Sequence, residues 1–207
     1  MPLYQSLNDS GFRRSGQHFY RPSCENCNAC KPLRIKTADF QPSKSHKRIR
    51  RKNAHLRIRL KNQANPELYF PLYEKYILKR HKDGDMYPPS REQFDSFICS
   101  KTDSGHFIEF WEPSEEQADT TENLVMVALC DFLPMGLSAI YSFFDPQKPQ
   151  LSLGTQAILT QIEIAKNLKL PYLYLGYWIE ESPKMNYKSR FQPSEVLENG
   201  EWSTLPF

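Results

Sequence analysis

The sequence has no hydrophobic run long enough to cross a membrane. Its most apolar stretches, such as residues 124–129, are far shorter than the roughly 20 residues that a membrane-spanning helix needs. The N-terminal string MPLYQSLNDSGF contains neither the basic region nor the apolar region of a secretory signal peptide. We therefore expect a soluble protein located in the cytoplasm.

Cysteine is scarce, with 5 in 207 residues, and three of them are crowded at Cys24, Cys27 and Cys30. In the cytoplasm this pattern favours reduced thiols or a metal site over a disulfide framework. The spacing suits zinc or an iron–sulfur cluster, but such sites usually take four ligands. A fourth ligand would come from an upstream segment or from one of His18, Cys99 and Cys130. A cluster of reduced thiols is the alternative.

Acidic residues are rare in the first third of the chain. Residues 1–64 carry 15 Lys and Arg against 3 Asp and Glu, a net charge of +12. The remainder carries 12 against 21, a net charge of −9. Because the two parts differ so strongly, we expect the N-terminal third to meet a polyanion.

Nine of these basic residues lie between Lys44 and Lys61. The pattern predicts a helix over residues 44–52 and then a half-buried strand, in which Leu56, Ile58 and Leu60 alternate with cations. Such a run binds an RNA backbone without reading bases, and the alternative is a solvated basic face. The candidate RNA-binding residues are Lys44, Lys47, Arg48, Arg50, Arg51, Arg57 and Arg59.

The later part of the chain has the pattern of an α+β fold. Helices are predicted over residues 67–82 and after Ser90, and residues 112–123 are predicted to be a solvated loop. Two strand-like runs meet at a turn over Pro134–Gly136, and a helix over Thr155–Lys169 and a strand over residues 171–179 follow. This order predicts an acetyltransferase-like lobe with a mixed or antiparallel sheet, in which an acyl donor binds between splayed strands. We assign residues 1–64 to a smaller basic lobe with the cysteine cluster, and residues 65–207 to the transfer lobe.

Three strings carry a resemblance to a known family. They are GFRRSGQHFYRPSCENCNACKPLRI from Gly11, RHKDGDMYPPSREQF from Arg80, and SLGTQAILTQIE with its continuation LGYWIEESPKMNYKSRFQPSE. Together they resemble the bacterial branch of the arginyl- and leucyl-tRNA–protein transferases, over nearly the whole chain. That family commonly has a further N-terminal segment with another cysteine, so we expect this chain to have a shortened or alternative start.

The resemblance implies transfer of leucine from Leu-tRNA to the N-terminal Asp or Glu of other proteins, which marks them for degradation in the N-degron pathway. It implies aminoacyl-tRNA and acceptor proteins as partners, no cofactor for the transfer and no membrane, and we expect a monomer. An arginine donor stays open, because Glu180 and Glu181 would suit its side chain. A non-catalytic tRNA-binding zinc protein also stays open. Coenzyme A is disfavoured as a donor, because the loop QLSLGTQ lacks a run of glycines.

The acidic acceptor needs cationic donors, and the aminoacyl end of tRNA needs rings and cations. Arginine forks bind carboxylates bidentately, whereas bases stack on aromatic side chains. The candidate substrate-binding residues are Arg13, Arg14, Arg34, Tyr177, Lys184, Tyr187, Lys188 and Arg190; for each cation the alternative is solvation, and for the aromatic residues it is packing in the core.

The remaining polar residues in the matching strings have candidate catalytic roles. Tyr187, Lys184 and Asp85 are candidates to orient or deprotonate the attacking amine, and no general base is assigned among them. Gly154 and Thr155 open a predicted helix, so their backbone N–H groups are candidate donors to the ester or to a terminal phosphate.

Overall fold

The computed structural model describes residues 2–114 and 122–206. Its first elements are α1 (Pro2–Asp9), β1 (Arg13–Ser15), β2 (His18–Tyr20), β3 (Lys31–Lys36), α2 (Lys44–Lys52), β4 (Arg57–Lys61), α3 (Pro66–Arg80) and α4 (Arg91–Phe97). The later elements are β5 (Gly105–Pro113), β6 (Glu122–Leu133), β7 (Gly136–Phe144), α5 (Leu153–Asn167), β8 (Tyr172–Trp178), β9 (Ser194–Glu198) and β10 (Glu201–Thr204). Among the helices in these ranges, none is both long and apolar enough to cross a bilayer.

Eight strands form one mixed sheet in the order β10-β9-β3-β8-β7-β6-β5-β4, and β1 pairs with β2 in a separate antiparallel ribbon. In the sheet, β3 is antiparallel to both β8 and β9, whereas β7 and β8 are parallel. A helix between two parallel strands is the usual crossover, and α5 lies between β7 and β8 in the sequence. The predicted α+β class with a mixed sheet is confirmed.

Internal contacts divide the chain into two compact units. Unit 1 comprises residues 1–43, 131–140 and 160–207, and unit 2 comprises residues 44–130 and 141–159. Fully buried side chains in unit 1 include Leu33, Ile35 and Phe191, and those in unit 2 include Tyr69 and Phe110. Each unit therefore has an apolar core of its own. The lobes of residues 1–64 and 65–207 stay a prediction.

Most of the predicted helices are confirmed near their predicted bounds. Helix α2 covers the predicted residues, and α4 begins after Ser90, whose side chain accepts a hydrogen bond from the Gln93 backbone at 3.1 Å. Helix α5 buries Leu159 and Ala165 as predicted, but Leu168 is 54% exposed. That part of the pattern was wrong because α5 ends at Asn167, one residue earlier.

Two strand predictions need correction. Strand β4 forms where the alternation predicts it, but Ile58 and Leu60 are 47% and 49% exposed. The strand is not half-buried, because it is the terminal strand in the order of the sheet. The predicted loop of residues 112–123 begins and ends inside β5 and β6, and its residues 115–121 lie outside the described residues.

Candidate active site

In unit 1 the parallel strands β7 and β8 pair over only three positions. The register joins Gly136 to Tyr172, Leu137 to Leu173, and Ser138 to Tyr174. Beyond Ser138, β7 and β8 do not pair in the described part of the chain. Parted parallel strands leave backbone groups that need other partners. We call the point where β7 and β8 part the strand opening, and binding of an acyl donor there stays a prediction.

The Arg13 side chain fills the opening beside β7. Its guanidinium donates to the Ser138 hydroxyl at 3.0 Å and also to the Ala139 carbonyl. On β8, Gly176 has a φ of +76°, and a Cβ at this position would lie only 3.2–3.3 Å from the guanidinium. A glycine is therefore needed here both for the backbone conformation and for the space that Arg13 occupies.

Arg13 and Lys188 are shielded cations that lack an acidic partner. Arg13 is 7% exposed. Lys188 is half-buried, and its ammonium group donates a hydrogen bond to the Tyr177 carbonyl. Within residues 2–114 and 122–206, neither side chain forms an ion pair. Burial lowers the pKa of Arg13, and burial followed by repulsion from Arg13 lowers the pKa of Lys188 to about 8. Both cations at the opening thus lack a direct ion pair among the described residues, although Asp131 at longer range still favours the charge of Arg13.

Arg14, also predicted to bind substrate, is engaged inside the fold. Its Nε and Nη2 donate to the two oxygens of Asp131 at 2.6 and 2.9 Å, and its Nη1 donates to the Gly16 carbonyl. Asp131 is fully buried and also accepts from the Tyr4 hydroxyl. Although burial works against the charge, the pair with Asp131 raises the pKa of Arg14. A substrate-binding role for Arg14 stays a prediction, since its Nε, Nη1 and Nη2 atoms already donate hydrogen bonds inside the protein.

Arg34 is likewise occupied by neighbouring side chains. Its Nε lies 2.7 Å from Glu195, and its Nη1 lies 3.6 Å from Asp9. The guanidinium lies between two rings, 3.7 Å from the Tyr172 centroid and 4.1 Å from the Trp202 centroid. The six predicted cations therefore differ in kind, and Arg13 and Lys188 are the buried or half-buried ones that form no ion pair with any residue the structure describes.

The aromatic candidates in the tail have different environments. The Tyr177 hydroxyl donates to the Gly11 carbonyl at 2.9 Å and lies 3.2 Å from the Tyr20 carbonyl. Burial raises the pKa of Tyr177 and of the half-buried Tyr187, which lies in the 3₁₀ helix Asn186–Arg190. Lys184 and Arg190 are exposed, as are the Glu180 and Glu181 carboxylates considered for an arginine donor.

In unit 2, Gly154 and Thr155 lie in the first turn of α5, where the sequence predicts backbone donors. The neighbouring Phe144 ring lies 3.5 Å from the Cβ that any other residue would carry at position 154. Asp85 is exposed in a turn before α4, and its carbonyl accepts from Gln93 at 3.3 Å. The catalytic role of Asp85 stays a prediction.

The basic run of unit 2 separates into two kinds of cation. Exposed residues on α2 have no ion pair in the described ranges, namely Lys44, Lys47, Arg48 and Arg51. Arg50 instead donates to the Leu159 carbonyl at 3.3 Å. On β4, Arg57 and Arg59 both pair with Glu122, which compensates part of their charge. Helix α2 is therefore the stronger candidate for contact with a polyanion.

The cysteine cluster remains open as a metal site. Cys24 and Cys27 are exposed and joined by an isolated β-bridge, and burial followed by repulsion from Cys27 and Cys24 raises the pKa of the Cys30 thiol. In the ranges that the structure covers, no group of three His, Cys, Asp or Glu side chains is placed to hold a metal ion. Three thiols are also one ligand short of the usual set. Binding of zinc or an iron–sulfur cluster stays a prediction.

Sequence reasoning missed two residues beside Arg13. Ser138 accepts from Arg13 and donates to the Asn8 amide oxygen at 3.3 Å, and Asn8 is only 3% exposed. Neither residue lies in the strings that carry the family resemblance. Their chemistry depends on a contact between positions 8, 13 and 138, so no local signal was available.

Family comparisons match the chain from both ends. A model described as the N terminus of arginine-tRNA-protein transferase matches residues 1–48, and one described as the C terminus matches residues 68–198. The chain belongs to the arginine-tRNA-protein transferase family. The N-terminal match contains Arg13, Arg14 and Arg34, and the C-terminal match contains Lys188. Both cations at the strand opening therefore lie within the family regions.

Curated relatives in this family are similar over nearly the whole chain. A protein of Marinobacter nauticus named aspartate/glutamate leucyltransferase is 52% identical over 203 residues, which cover 98% of this chain and 82% of the relative. Proteins with the same name from Pseudomonas fluorescens and Pseudomonas savastanoi pv. phaseolicola are 48% and 47% identical, each with 98% of this chain and 83% of the relative covered.

Two solved structures share the fold at much lower identity. The structure of L-PGS from Bacillus licheniformis aligns with a TM-score of 0.51 and 9% identity, over 86% of this chain and 50% of that one. The crystal structure of FemX aligns with a TM-score of 0.55 and 9% identity, over 89% of this chain and 61% of that one. The expected acetyltransferase-like fold is confirmed.

Proposed function

We propose that this chain transfers leucine from Leu-tRNA to the N-terminal Asp or Glu of acceptor proteins. The observation that carries the proposal is 52% identity, over 98% of the chain, to a relative named aspartate/glutamate leucyltransferase. The geometry supports it, because β7 and β8 part beside two cations that form no ion pair within residues 2–114 and 122–206. The protein works in the cytoplasm as a monomer, with aminoacyl-tRNA and acidic N-termini as its partners.

The reaction needs positioning more than a covalent intermediate. The α-amine of the acceptor attacks the ester carbonyl, a C–N bond forms, and the C–O bond to the ribose breaks. The amine loses a proton, and the ribose oxygen leaves as a hydroxyl. An α-amine with a pKa of about 7.7–8.0 is partly neutral near pH 7, and the ester is already activated. Holding the two groups in attack geometry can supply roughly 7–11 kcal/mol of the barrier.

Two groups of residues support this chemistry. Backbone N–H groups at Gly154 and Thr155 are aligned with the positive end of the α5 dipole, which stabilises negative charge on the ester or a nearby phosphate. The exposed cations of α2 bind the tRNA backbone without base selection. Tyr187 and Lys184 remain the candidates from the tail for orienting the amine, and no general base is assigned.

The test mixes the purified protein with Leu-tRNA or Arg-tRNA and with peptides that begin with Asp, Glu, Lys or Ala. Mass spectrometry should find one added leucine on the Asp and Glu peptides alone. Free leucine with uncharged tRNA is the control and should modify nothing. The proposal fails if Leu-tRNA modifies no peptide, and an arginine addition without leucine addition would assign the other donor.

A further inference from the structure

A small pocket opens beside Arg13 in unit 1. The empty space there is about 170 Å³ when the open solvent beside it is counted, but the part that the protein encloses is only about the size of one water molecule. The pocket is lined by Asn8, Gly11, Phe12, Arg13, Pro32, Leu33, Tyr174, Gly176 and Trp202. Gly11 and Gly176 contribute no side chains, but Leu197, Pro32 and Arg13 already fill the space that a Cβ would need there, so the glycines themselves add no room for a ligand. The pocket is half-enclosed and combines apolar walls with few polar groups.

Two donors of the pocket have unused capacity. A guanidinium has five N–H groups, and the hydrogen bonds of Arg13 go to Ser138 and to the Ala139 carbonyl. Asn8 accepts from Ser138 through its amide oxygen, while its buried amide nitrogen has no hydrogen-bond partner among the described residues. A buried donor without a partner carries a desolvation cost that a ligand acceptor would remove.

The charge around the pocket favours an anion. Arg13 forms no ion pair in the part of the chain that the structure describes, since Asp131, which favours its charge, pairs directly with Arg14. The Asp9 carboxylate next to the pocket already accepts from the Tyr174 hydroxyl and lies 3.6 Å from Arg34. A shielded cation without a counter-ion is unfavourable, so an external carboxylate would gain both the ion pair and the unused hydrogen bonds. The ligand expected here therefore carries negative charge on a small group.

We propose that this pocket binds the side-chain carboxylate of the acceptor's N-terminal Asp or Glu, with Arg13 and Asn8 as its donors. The inference rests on the proposed function and names the residues that select the acceptor. One carboxylate oxygen matches an enclosed space of about one water molecule, with the rest of the side chain in the open part, whereas a phosphodiester would bring two riboses with it. The tRNA backbone is therefore the less suitable source of the anion.

Arg13 also connects this pocket to the strand opening. The same guanidinium contacts Ser138 and Ala139, where β7 leaves β8, and it lies against Gly176. A carboxylate held by the free edge of Arg13 therefore places the adjacent backbone amine near the parted strands. Selection of the acceptor and alignment of its amine depend on one side chain.

The test uses Asn8→Asp, which keeps the size of the side chain and an oxygen for the Ser138 hydroxyl. The new carboxylate puts a negative charge in the wall of the same pocket as Arg13 and repels an incoming Asp or Glu. We expect the ratio of kcat/KM for an Asp peptide to that for an Asn peptide to fall by about tenfold or more, because like charges at an interface are strongly unfavourable. The KM for Leu-tRNA should not change.

The matched control is Asn199→Asp, which makes the same charge change at an exposed turn residue outside the pocket. It should leave the Asp-to-Asn ratio at the wild-type value. An unchanged ratio in Asn8→Asp would overturn the inference, even if the overall rate fell, since that result indicates a structural role alone.

A binding measurement separates this inference from the proposed function. Calorimetric titration without tRNA should show that the wild-type protein binds the Asp peptide more tightly than the Asn peptide, and that Asn8→Asp abolishes the difference. That result supports the pocket even if leucine transfer fails. Equal binding of both peptides by the wild-type protein would overturn the pocket while leaving transfer as a separate result.

Discussion

Lys188 illustrates how burial turns one side chain into a source of pH dependence. Its pKa is lowered to about 8, from an ordinary value of 10.5, by burial and by Arg13. The unfolded chain therefore binds more protons than the folded chain between about pH 8 and 10.5. Over that range the penalty for the charged amine disappears, so this residue makes stability rise with pH.

We predict that Lys188→Met removes this rise. Urea unfolding at several pH values from about 7 to 10.5 should show wild-type stability increasing relative to the variant above about pH 8. Lys184→Met, at an exposed lysine, should follow the wild-type curve. Parallel curves for wild type and Lys188→Met would contradict the assignment of a lowered pKa to Lys188.

At the residue scale, the sequence could identify the candidate cations but could not rank them. Arg13 and Arg14 are neighbours in β1, yet Arg14 pairs with Asp131, which is 117 residues away, and Arg13 has no acidic partner in the described chain. The difference depends on which strand each guanidinium meets. Local composition carries no information on such a contact, and the same holds for Asn8 and Ser138.

Among the elements, α2 and β4 show where pattern reasoning succeeds and where it fails. The helix forms over its predicted residues, since its bounds depend on nearby residues. The alternation of apolar and basic residues in β4 predicted the strand but not its exposure. Side chains alternate between the two faces in every strand, whether it lies at the edge of a sheet or packs one face on a core. Its position in the sheet is set by the whole topology.

We predict that α2 contributes more to tRNA binding than β4 does. Lys47→Glu combined with Arg51→Glu should weaken binding and reduce the slope of log affinity against log salt by about 0.7–0.9 for each phosphate that is no longer neutralised. Arg57→Gln with Arg59→Gln should have a smaller effect, because Glu122 already compensates these charges.

Filter binding of tRNA at several salt concentrations measures both quantities. The control Lys101→Glu with Lys166→Glu makes the same charge change at exposed lysines outside α2 and should have little effect. An equal decrease in affinity in the α2 variant and the control would show that only net charge matters.

For the whole molecule, the strongest sequence signals were the family strings and the charge asymmetry. The strings predicted the family, because they extend over nearly the entire chain, and the order of strands and helices predicted the acetyltransferase-like fold. The sequence could not predict which strands part or where a pocket forms. Those features arise from β7, β8 and β1, which are distant in sequence and meet only in the folded chain.

We predict that Leu-tRNA stabilises the protein against heat, whereas acetyl-coenzyme A does not. At about 100 times its dissociation constant, a ligand that binds only the folded state adds about 2.7 kcal/mol, which raises the Tm of a chain of this size by about 5–10 °C. Differential scanning fluorimetry with each ligand measures the shift. Stabilisation by acetyl-coenzyme A alone would favour the acetyltransferase interpretation.

Both compact units are assembled from stretches that are separated along the chain. Unit 1 needs residues 1–43 together with residues 131–140 and 160–207, and β6, β7 and α5 each pass from one unit to the other. No single cleavage of the polypeptide can yield either unit as an intact fragment. Expression of half the gene would therefore leave strands without their neighbouring strands. The roles of the two units have to be assigned by point substitutions in the full chain rather than by truncation.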